Sequence, residues 1–372
     1  MEGTAHLGAT VAWCGFALGL VFGAVGNKVN FCTMGAVSDL VNMGDWGRMR
    51  MWLLAIAVAI VGAQALWYAG VVDLSKSIYT APNFTWLSFV VGGFLFGVGM
   101  TLGSGCGSKT LIRIGGGNLK SLVVYVFLGI AAYMTLRGFF GQFRVSVLQP
   151  VAVNFAAHGL KGQDLPSLLA GTGIAPGTLR VTIAAIVATA LLFFVLKDRE
   201  FRANADYMVG GVVVGLIVVA GWYVTGHYGY RENPDTLEMA FFGTNTRAAE
   251  SVSFVAPLAY TLELLMLWTD KSLTITFGVM AALGVVVGSF AYAIASRTFR
   301  WEGFTTVDDL RNHIIGGVLM GFGGICALGC TIGQGITGFS TLALGSILTF
   351  AAIVAGSAAT MKYQYWKMVR EG

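Results

Sequence analysis

Long apolar runs alternate with short polar connections from one end of the chain to the other. Runs at 7–24, 51–72, 86–103, 118–140, 179–196, 207–223 and 273–295 approach the length a helix needs to cross a bilayer, about 20 residues. So do a run that opens at 314 and the last one, 342–360. Nine spans are therefore predicted. Two other apolar pieces differ. The piece 27–42 is interrupted by Asn27, Lys28, Asn30, Ser38 and Asp39, and 255–268 is short and contains Pro257 and Glu263. Backbone broken in this way survives at membrane depth only when buried in protein or lining a wet cavity. Both pieces are expected to dip into the membrane and return without crossing. The stretch 141–176, with Pro150, Pro166 and Pro176, fits no span and is expected to lie on the membrane surface.

One motif occurs twice in this pattern. At a constant offset of 224 (316 − 92), Gly92, Gly93, Gly97, Gly99 and Gly105 fall on Gly316, Gly317, Gly321, Gly323 and Gly329, and Cys106 falls on Cys330. Each copy is a small-residue helix of the kind that lets backbones approach closely in a membrane. Each then runs into a Gly-Cys break followed by polar residues: Ser108, Lys109 and Arg113 in the first, Thr331 and Gln334 in the second. A short half-helix is expected over 108–114, stopped by Gly115, Gly116 and Gly117. Two broken segments at matching places in two halves point to a transport site near the bilayer midplane. A single connecting helix, 179–196, would turn the second half over relative to the first. The fold class predicted is an all-α polytopic membrane protein of about nine transmembrane helices, in two inverted pseudo-symmetric repeats with short re-entrant broken helices at the centre. The chain 1–372 then forms one transport domain, with repeats over approximately 7–140 and 207–361 joined by 141–176 and the connecting helix.

Composition narrows the class further. With 56% hydrophobic and 11% charged residues, a soluble domain is excluded. The net charge of +5 is spread thinly, without the basic run that nucleic acid would require. Loops with Arg48 and Arg50, with Lys197, Arg199 and Arg202, and with Arg297, Arg300 and Arg311 fall on one side of the nine-span arrangement. The tail with Lys362, Lys367 and Arg370 joins them. The positive-inside rule makes that side cytoplasmic and places the N-terminus outside, in a bacterial inner membrane. The first residues lack a basic leader and a small-residue cleavage site, so the first run is expected to remain as a span.

The candidate chemistry lies in the cysteines. Cys14 and Cys326 sit inside apolar helices and are expected only to pack. Cys32, Cys106 and Cys330 sit at breaks, the last two preceded by Gly105 and Gly329. A thiol is a weak, polarizable donor that suits a soft, sulfur-bearing ligand. Half-helix N-termini aim backbone N–H groups at the same place and favour an anion. Together these describe a soft anion containing sulfur. Lys109 and Arg113 add positive potential near the path, or else snorkel to a headgroup. Thr331 and Gln334 offer neutral hydrogen bonds, although a helix contact explains Gln334 equally well. No Cys-x-x-Cys or Cys/His spacing suits a metal, and no cofactor is expected. Met34, Met100 and Met320 lie near the breaks and keep a soft metal ion open as cargo. The four histidines are expected to be solvated.

Three segments together resemble a known family: the run from Asn30 through Cys32 to Asp39, the run from Gly105 and Cys106 to Ser121, and the run from Gly329 and Cys330 to Gly338. In order and over essentially the whole chain, they are similar to the YeeE/YedE family of sulfur-transport membrane proteins. The resemblance implies an hourglass-shaped protein that takes up thiosulfate or a related sulfur or selenium compound across the inner membrane, without acting as an enzyme. It implies that Cys32, Cys106 and Cys330 pass the anion inward through successive S–H···S hydrogen bonds. It also implies work with a separate, small cytoplasmic sulfur carrier of the TusA type. A membrane thiol redox enzyme or sulfurtransferase is the alternative, with one of these cysteines as nucleophile. No histidine lies near them in sequence to serve as its base.

Overall fold

The computed structural model describes residues 2–169, 176–234 and 236–371. It is almost wholly helical: α1 (Glu2–Lys28), α2 (Thr33–Ser38), α3 (Gly47–Tyr68), α4 (Trp86–Leu102), α5 (Gly107–Gly115), α6 (Leu119–Arg137), α7 (Pro176–Leu196), α8 (Ala205–Tyr223), α9 (Ala256–Met266), α10 (Phe277–Ala295), α11 (Val307–Cys326), a π-helical segment (Gly333–Gly338) and α12 (Leu344–Glu371). Among the described residues, eight helices are long and apolar enough to cross a membrane. α11 falls short of that standard because its first turns carry Asp308, Asp309, Arg311, Asn312 and His313. Its remaining turns are the second glycine motif.

Close helix contacts reveal the direction of each element. Gly15, Gly19 and Gly23 of α1 face Phe277, Ala281 and Val285 of α10 in step, so these two helices run parallel. Gly211 and Gly215 of α8 meet Met51 and Ala55 of α3, again in parallel. Gly317 and Gly321 of α11 follow Val124 and Leu128 of α6, and Gly93 and Gly97 of α4 follow Thr349 and Ile353 of α12. The two motif helices behave oppositely. Gly92 meets Gly323 and Gly99 meets Gly316, so α4 and α11 cross antiparallel, each glycine facing the counterpart of the other's partner. Nine alternating crossings satisfy all five directions provided that α9 does not cross. A crossing α9 would reverse α10 and set it antiparallel to α1.

The packing also exchanges between the halves. α1 lies on α10 as α8 lies on α3, and α6 on α11 as α12 on α4. α5 lies on α10 as the π segment lies on α3, and α9 on α6 as α2 on α12. The α4–α11 crossing maps onto itself. Loops collect on two faces accordingly. On one, Asn118 donates to Glu302 at 2.5 Å, Arg50 pairs with Asp198 at 2.7 Å and Lys120 with Asp309 at 2.7 Å. On the other, Ser77 bridges to Ala249, the Phe155 N–H donates to the Pro82 carbonyl and Arg137 pairs with Glu263.

The stretch 141–176 is bonded to the rest of the protein at several points along its length. Val153–Asn154 pairs with Asn83–Phe84, and the Leu165 N–H donates to the Leu342 carbonyl. Its residues 170–175 lie outside the described part. One histidine departs from expectation. His313 is 4% exposed, with Nδ1 held between the Asp309 carbonyl and carboxylate, because the polar first turns of α11 fold against Phe304 and Lys120.

The motif crossing allows no side chain. A methyl group at Gly99 would stand 2.7 Å from the Gly316 carbonyl oxygen, and one at Gly316 would stand 2.7 Å from that of Gly99. Overpacking of this kind costs about 1–3 kcal/mol. Gly99→Ala is therefore expected to lower the melting temperature in detergent, whereas Gly303→Ala, with open space around it, leaves it unchanged. Equal melting of the two variants would refute the close crossing.

Candidate functional site

Three backbone breaks share one local design. Asn30, Ser104 and Leu328 adopt left-handed φ angles of 52°, 57° and 57°. In each case a cysteine follows two residues later. The left-handed residue turns the chain back on the helix that precedes it: the Gly105 N–H bonds the Met100 carbonyl and the Gly329 N–H that of Gly324. The cysteine then opens a new helical segment. Cys32 caps α2, its sulfur accepting from the Gly35 N–H at 3.4 Å, while Cys106 holds the N-cap position of α5 with its sulfur against Ser108 Oγ rather than on a backbone N–H. Cys330 accepts from the Gly333 N–H at 3.4 Å, ahead of the π segment. A sulfur anchored in this way as acceptor keeps its S–H available to donate outward.

A fourth segment, α9, begins at the same place without a cysteine. Its leading Phe254 donates its backbone N–H to Cys330 Sγ at 3.4 Å, and Ser253 Oγ lies 3.9 Å from the same sulfur. The Phe254 carbonyl stands beside Gly107, the first residue of α5. Cys106 lies within electrostatic range of both Cys32 and Cys330. The four N-termini therefore converge. From this centre α2 and α5 lead toward the face of the Asn118–Glu302 contact, while α9 and the π segment lead to the opposite face, that of Glu263 and Arg137. Each contributes the partial positive charge of a helix start.

The centre is dry. Cys32 is 3% exposed, and Cys106 and Cys330 are wholly buried. Phe22 packs against Phe31 and Phe254, and Phe31 stacks on Trp52 at 4.8 Å. Two hydroxyls in this setting have no partner in the protein: Thr33 Oγ1 and Thr331 Oγ1, each directly after a capping cysteine. A buried polar atom left unpaired costs free energy unless something fills its place. An anion in the centre would do so.

The supporting residues divide. Lys109 donates to Asn30 Oδ1, and the Arg113 guanidinium donates to the Ser104 carbonyl at 2.8 Å, so both cations are tied to the breaks. Arg48, paired with Asp39 and beside Gly35, adds a third cation near Cys32. Gln334 engages both ends of its amide inside the protein, donating to the Ala327 carbonyl and accepting from Ser346 Oγ at 2.6 Å. It braces the second break. Gly105 and Gly329 bring the chain tight against Lys109 and Gln334, where an added methyl group would stand 3.1 and 3.2 Å from their side chains. Cys326 packs next to Gly92, and its carbonyl accepts from Ser88 Oγ at 2.7 Å. Thr33, Arg48, Ser253 and Phe254 escaped the sequence reading. Thr33 follows a break cysteine as Thr331 does, and Ser253 and Phe254 precede the short apolar helix that α2 matches in the other half; those positions were the available signal.

Residues 28–359 match the family described as Sulphur transport. The chain belongs to that family. Among related proteins is the Thiosulfate transporter TsuA of Escherichia coli (strain K12), 29% identical over 332 residues, 87% of this chain and 86% of the relative. The Thiosulfate transporter TsuA of Spirochaeta thermophila is 26% identical over 353 residues, 93% of this chain and 96% of the relative. The family match takes in all three breaks, so the resemblance to the sulfur transporters read from the motifs extends from the first break to the last helix.

Proposed function

We propose that the protein carries thiosulfate into the cell across the bacterial inner membrane, releasing it chemically unaltered. The anion meets Cys330 first, then Cys106, then Cys32, each S–H donating to it in turn while Thr331 and Thr33 lend their free hydroxyls. The reading rests above all on one observation: three buried cysteines stand at the starts of helical segments that converge from both faces on one centre, two of them accepting a cap bond at sulfur. Soft donors suit the terminal sulfur of thiosulfate, and the converging helix starts suit its charge. The segments 7–140 and 207–361 act as inverted repeats around this centre, as the antiparallel α4–α11 crossing supports. The face bearing Arg48, Arg50, Lys120, Arg300 and Arg311 is the cytoplasmic one. Lys109 and Arg113 then lie on the exit side and draw the anion inward. A groove of about 630 Å³ on that face, lined by Met34, Ser38, Thr101, Met361 and Tyr365, offers a place for a separate TusA-type carrier to receive the sulfur.

Counterflow of labelled thiosulfate in proteoliposomes tests the reading, with sulfate as the hard-anion comparison. Thiosulfate should exchange and sulfate should not; equal handling of the two, or no exchange, would sink it. A second measurement separates transport from sulfur chemistry. Thiols that act only as hydrogen-bond partners leave no covalent trace, whereas a nucleophilic thiol must form a persulfide or mixed disulfide through its thiolate. Mass spectrometry after incubation with thiosulfate is expected to show all three cysteines unmodified. A stoichiometric persulfide on any of them would favour the sulfurtransferase alternative.

A further inference from the structure

A cavity of about 180 Å³ opens on the face opposite the basic loops and ends at Leu328 and Gly329, one residue before Cys330. Its wall includes Ser253, which reaches the Cys330 sulfur. It is therefore the outer vestibule of the path, and it contains a carboxylate. Glu250 keeps part of its surface open to the cavity while protein surrounds it on every side. Its Oε2 accepts from Thr246 Oγ1 at 2.9 Å, and Thr225 Oγ1 fastens its backbone. An acidic group in the approach to an anion path requires an explanation. An ionised carboxylate and a dianion in one small, poorly hydrated space strongly disfavour each other.

We propose that Glu250 is a substrate-binding residue of this vestibule: it takes up one proton from the outer solution as a thiosulfate-like dianion docks, and its carboxyl O–H then donates a hydrogen bond to the anion. The inference rests on the transport reading above. The groups that face Glu250 allow it. Arg144, from the segment after α6, lines the same cavity and supplies the positive charge; Tyr79 and Tyr260 line it as neutral phenols. The Arg137–Glu263 pair lies beyond Tyr260, the Lys76 carbonyl accepts from the Ala249 N–H while its ammonium turns to Tyr230, and Arg247 on the same loop is exposed. Burial is the largest influence on Glu250 and pushes its carboxyl up to about 7, while the bonds from Thr246 and from the Asn245 and Thr246 backbone pull the other way. Below that pH the group is protonated and the vestibule accepts the anion. Above it the protonated fraction falls about tenfold per pH unit.

The test is initial uptake of labelled thiosulfate into proteoliposomes over a series of outer pH values, with inner pH and membrane voltage clamped. The wild type should lose uptake about tenfold per unit above roughly pH 7. Glu250→Gln, a permanent neutral donor, should transport with a flat profile across the same range. Thr246→Val removes a bond that favours the ionised form, so its fall should begin at higher pH than in the wild type. Should the glutamine variant fail to fold, the direction of the Thr246→Val shift decides. A flat wild-type profile, a glutamine variant with the wild-type slope, or an unshifted valine variant would each overturn the role of Glu250. Absence of wild-type uptake at every pH would instead remove the transport reading, and this inference with it.

Discussion

Replacing Cys106 by alanine is expected to slow thiosulfate uptake about ten- to a hundredfold in a protein that still folds. A hydrogen bond to a charged partner contributes about 1.5–3 kcal/mol, and each 1.4 kcal/mol is a factor of ten in an equilibrium or a rate. Cys106 is wholly buried, and among the described residues its sulfur has a hydrogen-bonding contact with Ser108 Oγ at 3.3 Å alone. Removing its sulfur therefore takes away the donor proposed for the path and little else. Serine at the same position should also lose most of the uptake, because its hard, shorter hydroxyl replaces a soft donor. Alanine or serine at 32 and 330 should behave alike. Cys14 and Cys326 serve as controls, since one lies half-buried within α1 and the other packs against Gly92. The measurement is the initial rate in proteoliposomes, normalised to reconstituted monodisperse protein. Wild-type rates for the Cys106 variants would refute the relay, and a large loss at Cys14 would undo the division between packing and path cysteines.

Asp164→Ala is expected to destabilise the fold by about 3–5 kcal/mol, the cost of leaving a buried charge without its partner. Arg180 and Asp164 have side chains only 8% and 4% exposed and stand 3.4 Å apart. Arg180 Nε donates to Gln64 Oε1 at 2.8 Å, Gln64 Nε2 donates to the Ser340 carbonyl at 2.7 Å, and the guanidinium stacks over Trp67 at 4.7 Å. The cluster thus ties α7 and α3 to the chain just after the π segment, and Asp164 itself bridges to Ala343. Pairing Asp164→Ala with Arg180→Met should restore much of the loss, because an apolar replacement for the whole ion pair removes the stranded charge. Thermal unfolding in detergent checks both. Additive destabilisation in the double variant would show that the two groups do not act as a pair.

The two Gly-Cys breaks were legible because a repeated small-residue spacing has a single physical use, close backbone approach, and because the same offset carried glycines and cysteine together. The short helix α9 was legible from its length, its proline and its buried acid. The inner wall of the site was not. Phe254 enters through its backbone N–H, and a backbone donor leaves no mark in residue identity. Arg48 read as an ordinary loop cation until the turn at Asp39 folded it back toward Cys32. The bonding of 150–169 to Leu342 and Ala343 depends on partners nearly two hundred positions away in sequence. No local periodicity records them.

The exchange of packing between the halves sets a timetable for biogenesis. Gly92 meets Gly323, which follows it by 231 positions (323 − 92). At about 5–20 residues per second on the ribosome, that partner emerges roughly 10 to 50 seconds later. Within the interval α8 and α10 supply the partners of α3 and α1, while the glycines of α4 still wait for α11 and α12. A nascent chain stalled before α11 can close the α1–α10 and α3–α8 contacts but leaves the glycine face of α4 bare to whatever surveys the membrane. The motif crossing is thus the late event of assembly, and translation must run nearly to its end before the centre can close.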